Sequence, residues 1–94
     1  MEDGPEFERN RRKNESNFKK HGVTFWEARE IWNDPLHYRV KVADDPENRW
    51  LVVGRVARSR YLSAIITYRG GQEERVRIIS ARASSKAEVG RYHG

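Results

Sequence analysis

The sequence predicts an α+β fold: a small antiparallel β-sheet of three to four strands with two N-terminal helices and a short C-terminal helix. Two capping boxes, Thr24 with Glu27 and Ser85 with Glu88, mark helix starts near both ends of the chain. Between them lie three segments rich in β-branched residues, at 49–57, 60–69 and 74–81. They are joined by the hairpin-length connections Arg58-Ser59 and Gly70-Gly71-Gln72. Ninety-four residues allow a single domain with a small core.

Residues 1–6, with Gly4 and Pro5, read as a flexible leader, and 7–94 as the domain. Residues 10–20 are charged with few apolar anchors, Phe18 among them, which fits a surface helix resting on a narrow face. His21 is its last residue, and Gly22 supplies the left-handed turn that ends it. The second helix starts at the Thr24 box. Phe25, Ala28 and Trp32 share its inward face, while Trp26 points elsewhere as an anchor for a protein partner. Asn33-Asp34-Pro35 stops it, because proline disfavours helical geometry in the preceding residue.

Residues 36–42 form a weakly alternating strand and Asp44-Asp45-Pro46-Glu47-Asn48 a turn. The three β-rich segments follow, with Trp50 assigned to the sheet. The last helix is short, and Gly90 weakens it near Tyr92. With strands grouped between helices, the helices are expected to pack on one side of the sheet.

Composition narrows the function. No cysteine is present, which removes disulfides, thiolate metal sites and a cysteine nucleophile. His21, His37 and His93 lack the spacing of a zinc site, so no metal or other cofactor is expected. Nineteen basic against fourteen acidic residues give a formal charge of +5, which favours a polyanionic partner without choosing one. Apolar runs such as Leu51-Val52-Val53 are far too short to span a bilayer, and the polar N-terminus has no signal-peptide core. A cytoplasmic protein with no membrane role is expected.

The stretch richest in chemistry is Arg75-Val76-Arg77-Ile78-Ile79-Ser80-Ala81-Arg82, with Glu88 and Tyr92 beyond it. Together with Lys20-His21-Gly22-Val23 and the Phe25 to Trp32 helix, it resembles the BrnT family of bacterial type II toxins, small ribonucleases related in fold to the RelE group. The likeness extends from about Phe7 to Tyr92. Two stretches depart from the family pattern. Phe7-Glu8-Arg9-Asn10 stands where the family usually has Phe-Glu-Trp-Asp, and Asp44-Asp45-Pro46-Glu47-Asn48 replaces a His-rich, acid-rich segment. The resemblance implies an endoribonuclease that inhibits translation and growth. It also implies a cognate BrnA-like antitoxin, a small ribbon-helix-helix DNA-binding protein whose complex with the toxin represses their operon, so that operator DNA is met only through the antitoxin.

Cleaving RNA without a metal needs a base for the 2′-hydroxyl, cations for the charge building on phosphorus, and an acid for the leaving 5′-oxygen. Arg58, Arg60, Arg77 and Arg82 are the candidate cations, since guanidiniums match phosphate oxygens with planar, permanently charged donors. Arg58 and Arg60 alternate onto one side at the start of a strand. Arg77 and Arg82 fall on opposite faces of a straight strand and meet only if a bulge or the strand end intervenes. Any one of these arginines also fits a solvated sheet face.

The proton movers are less distinct. His21 suits a general acid or base, and equally a helix C-terminus partner. Tyr92 either stacks on a base or donates a proton, as terminal aromatics do in related ribonucleases, or it covers the sheet edge. His93 is a frayed terminal residue or an acid. Glu27 and Glu88 are caps first, and Ser80 a structural hydroxyl. Two other functions fit the same residues: a non-catalytic basic nucleic-acid-binding domain, and an interaction protein whose arginines pair with an acidic partner.

Overall fold

The computed structural model describes residues 6–69 and 75–94, so the Gly70-Gly71-Gln72 connection and the leader up to residue 5 lie outside the described residues. In chain order the elements are β1 (Glu6–Phe7), α1 (Arg11–His21), α2 (Phe25–Arg29), a 3-10 turn (Glu30–Asn33), β2 (Tyr38–Ala43), β3 (Arg49–Ala57), β4 (Arg60–Tyr68), β5 (Arg75–Ala83) and α3 (Lys86–His93).

Each helix starts and stops for a local reason. Asn10 caps α1 through Lys13 N, and Gly22, with φ 71°, ends it by returning its N–H to Phe18 O. Both capping boxes form, Thr24 with Glu27 and Ser85 with Glu88. The sheet departs from the sequence expectation. Five strands run in the order β1-β5-β4-β3-β2, and β1 joins parallel to β5 through Glu6 opposite Arg75 and Phe7 opposite Val76. The sheet is therefore mixed, and its extra strand was invisible because two residues carry no periodicity.

Direct opposition in the antiparallel ladders sorts the side chains by face. Trp50, Val52, Leu62, Ala64, Ile66, Val76, Ile78 and Ala81 line one face. With Val23 from the α1–α2 connection, Phe25 and Ala28 from α2 and Ile31 from the 3-10 turn, most of these residues form the buried core. The opposite face carries Tyr38, Val53, Ser63 and Arg82. There α3 packs, through Tyr38 Oη donating to Glu88 O and Ser63 Oγ donating to Glu88 Oε1. The helices thus cover both faces rather than one, because α3 brings a polar grip for a face whose strands carry Ser63 and Arg82.

Two devices fix α1 and the 3-10 turn. The buried Asn17 amide donates to Val23 O and Ala81 O and accepts from Ala81 N, clamping α1 to β5. At Gly54 the turn approaches β3 so closely that an added Cβ would lie 2.8 Å from Ile31 Cγ2 and 3.2 Å from Ile31 O. Only glycine admits that approach.

Candidate active site

The four arginines singled out by the sequence do not meet. A bulge in β5, with Ile79 as the extra residue between Ile78 opposite Ile66 and Ser80 opposite Ile65, turns Arg77 and Arg82 onto the same face. They nevertheless stand apart, since their β4 partners are Thr67 and Ser63, about 13 Å along the strand. Arg82 is held within the chain: its two terminal nitrogens donate to the two oxygens of Glu88, each at 2.8 Å. Ser63 Oγ and Ser85 N donate to the same carboxylate. The Arg82 bonds foremost, with those of Ser85 and Ser63, outweigh burial and hold Glu88 down at a pKa of about 2.

Arg60 also has a carboxylate, Glu27 Oε2 at 2.7 Å on α2. Arg77 faces Thr67 across the ladder, and among the described residues no hydrogen bond or ion pair holds its guanidinium. It lies far from the β3–β4 turn, about 23 Å along β4 from Arg60. His21 stands exposed at the end of α1, and no described side chain bonds its ring.

Arg58 and Tyr92 do come together. They line an open cleft of about 400 Å³ at the β3–β4 end of the sheet, with Arg55, Asp34, Asn33 and Glu30. A second bulge, at Val56 between Arg55 opposite Tyr61 and Ala57 opposite Arg60, bends the end of β3 there. Arg55 directs its guanidinium along the turn, donating to Ala57 O at 3.3 Å and to Arg58 O. Among the described residues neither Arg55 nor Arg58 makes an ion pair, although the carboxylates of Asp34 and Glu30 line the same cleft.

Asp34 closes the cleft from the other layer. Its Oδ2 accepts from Arg55 N at 2.8 Å and Tyr92 Oη at 2.7 Å, and its Oδ1 from Leu36 N at 2.9 Å. Burial pushes its pKa up, but these three donors together bring it below the usual carboxylate range. The same bond, with desolvation behind it, pushes the Tyr92 hydroxyl up to about 12. Tyr92 is thus a neutral donor beside an ionised carboxylate. Its ring meets Tyr61 edge-on at 5.2 Å, and Tyr61 Oη shares a 2.9 Å hydrogen bond with His93 Nε2. His93 also meets the Tyr92 ring edge-on at 5.2 Å, so it stands behind that wall of the cleft and not among the lining residues.

Sequence reasoning missed Arg55 and Asp34. Asp34 reads as part of a helix stop, and Arg55 only as one position within the 49–57 segment. The signal in hindsight is the spacing of Arg55 and Arg58 across a strand end. Among the described residues no group of three His, Asp or Glu side chains is gathered as a metal cage, and no helix is long and apolar enough to cross a membrane.

The sequence profile of a family described as the ribonuclease toxin BrnT of type II toxin–antitoxin systems matches residues 10–88. The chain belongs to the BrnT family. Among solved structures, this BrnT-family chain is similar to the 1.1 Å crystal structure of the Brucella abortus ribonuclease toxin BrnT, with 19% identity and a TM-score of 0.64. That likeness covers 88% of this chain and 97% of the other, and at this identity it establishes a shared fold. No curated protein matches the chain in sequence. Membership of a type II toxin family implies RNA as the substrate and an antitoxin as the partner.

Proposed function

We propose that this BrnT-family chain is a metal-independent endoribonuclease of the cytoplasm and that the Arg55–Arg58–Tyr92 cleft is its active site. The observation that carries the proposal is one open cleft lined by two arginines that make no ion pair and by an anchored phenol. Arg55 and Arg58 hold the scissile phosphate and offset the charge that grows on it as the 2′-oxygen attacks phosphorus and the 5′-oxygen leaves. His93, held by Tyr61, takes the 2′-hydroxyl proton, and Tyr92 protonates the leaving 5′-oxygen, an alkoxide more basic than its own phenolate. The products are a 2′,3′-cyclic phosphate and a free 5′-hydroxyl.

Arg60 and Arg82, both paired with carboxylates, act in this reading as braces: Arg60 ties β4 to α2 and Arg82 ties β5 to α3. The toxin is neutralised by a ribbon-helix-helix antitoxin whose complex with it occupies the operator.

Incubation of the purified chain with RNA in EDTA tests this. Wild type is expected to produce fragments ending in cyclic phosphate. Arg55→Ala and Arg58→Ala are expected to lower the rate by about tenfold to a thousandfold each, and Arg77→Ala to leave it within a few-fold. Intact RNA with wild type, despite measurable binding, would replace the enzyme with a nucleic-acid-binding module.

A further inference from the structure

A second cleft, of about 310 Å³, lies between the β1–α1 connection and α2, and its polar wall is made almost entirely of hydrogen-bond donors. Arg9, Arg11 and Arg29 are among its lining residues. Asn10 and Asn14 commit their carbonyl oxygens to Lys13 N and Phe25 N, at 3.0 and 2.7 Å, which leaves their amide NH2 groups as donors. The one carboxylate on the wall, Glu8, is taken by Arg69 at 3.1 Å.

Arg29 is the most telling of these groups. Its guanidinium lies over two aromatic rings, 5.0 Å from the centroid of Phe7 and 4.4 Å from that of Trp26. Its Nε is buried without a hydrogen-bond partner. Burial, and after it the like charge of Arg9, push its pKa down. Among the described residues neither Arg9 nor Arg29 makes an ion pair, so two unpaired cations line one cleft. The first turn of α1 adds Arg11, Arg12 and Lys13 where the helix dipole already favours an anion. Trp26 stands over this wall 62% exposed, a large apolar face that the core does not use.

We propose that this cleft is a second nucleotide subsite, in which Arg9, Arg11 and Arg29 hold a backbone phosphate of single-stranded RNA beyond the scissile linkage while Trp26 stacks on a neighbouring base. The inference rests on RNA being the substrate and extends the site along the strand: α2 and the 3-10 turn carry Trp26 and Arg29 to this cleft and Glu30 and Asn33 to the first one. An anion here satisfies the donors and relieves the repulsion between Arg9 and Arg29. A base on the open face of Trp26 buries what is otherwise wet, and stacking of this kind tolerates any base.

The test uses a 2′-O-methyl RNA decamer, which binds without being cut, read by fluorescence anisotropy against wild type, Arg9→Glu and Trp26→Ala, with folding checked by circular dichroism. Both substituted side chains are exposed, so the fold is expected to survive. Each substitution is expected to weaken decamer binding by about tenfold, and Arg9→Glu to flatten the salt dependence by about one phosphate contact. Cleavage of a dinucleotide that spans only the scissile linkage should stay at the wild-type rate.

Decamer affinity unchanged in both variants overturns the subsite, and so does a wild type that fails to bind the decamer. Variants that keep RNA affinity but lose the antitoxin would make the cleft a protein dock, which also overturns it. A wild type that cuts RNA while the variants bind and cut equally well sinks the subsite and leaves the ribonuclease standing. A wild type that binds through Arg9 and Trp26 but never cuts keeps the subsite and sinks the ribonuclease.

Discussion

The Tyr92 hydroxyl donates a 2.7 Å hydrogen bond to Asp34 Oδ2, joining the last turn of α3 to the end of the 3-10 turn across the edge of the sheet. The two helical layers cover opposite faces, so this bond is where they meet, and the candidate active cleft lies around it. Its electrostatic signature is the Tyr92 hydroxyl held above the ordinary range, at about 12, apart from Tyr38, which burial and then the charge of Glu88 also raise. Ultraviolet titration should show Tyr92 ionising late, and Asp34→Asn should bring that step down while leaving Tyr38, raised by burial and Glu88, where it is. Tyr92→Phe should slow RNA cleavage by about tenfold or more, as loss of a positioned proton donor does. A wild-type rate in Tyr92→Phe would take the phenol out of the chemistry.

Glu88 makes the fold sensitive to acid. Its pKa of about 2 in the folded chain lies below the usual 4.5, so its contribution is fully present above about pH 4.5 and is lost as pH falls toward 2. With Arg82 41% exposed at the rim, solvent screening leaves this at about 2 kcal/mol. Thermal melting across that window should show a steeper loss for wild type than for Glu88→Gln, which is already without the charge. Parallel curves would remove Glu88 as the acid-sensitive group.

Gly54 and Gly22 should fail for different reasons. Gly54→Ala forces Cβ against Ile31, so the 3-10 turn must shift and carry Asp34 with it. A cost of about 1–3 kcal/mol is expected, with cleavage reduced as well. Gly22→Ala meets no neighbour within 4 Å, and its strain is only that of φ 71°. It should lose about 1 kcal/mol and keep its activity. Chemical denaturation paired with a cleavage assay separates the two.

Asn17→Leu should be the most damaging single change away from the cleft. The buried amide satisfies Val23 O, Ala81 O and Ala81 N at once, and a leucine leaves all three without partners in a dry environment. A loss of about 2–4 kcal/mol is expected, seen as a melting temperature lower by about 10 °C or more. A drop of only a degree or two would show that water replaces the clamp.

The sequence by itself determined what lies within a few residues along the chain. Thr24 with Glu27, Ser85 with Glu88, and Gly22 after His21 each form a local hydrogen-bond motif, so the helix ends were legible, as were the strands flanking Arg58-Ser59 and the family likeness. Tertiary structure alone decided the pairing of Glu6–Phe7 with β5, the face on which α3 lies, and the partition of the arginines. Alternation counts residues but does not see a bulge, so Ile79 altered which arginines share a face. A guanidinium carries the same charge in sequence whether it meets a carboxylate or an open cleft. Only the packed chain decides that Arg82 and Arg60 find Glu88 and Glu27 while Arg55 and Arg58 meet Tyr92, because desolvation and distance set the value of a charge.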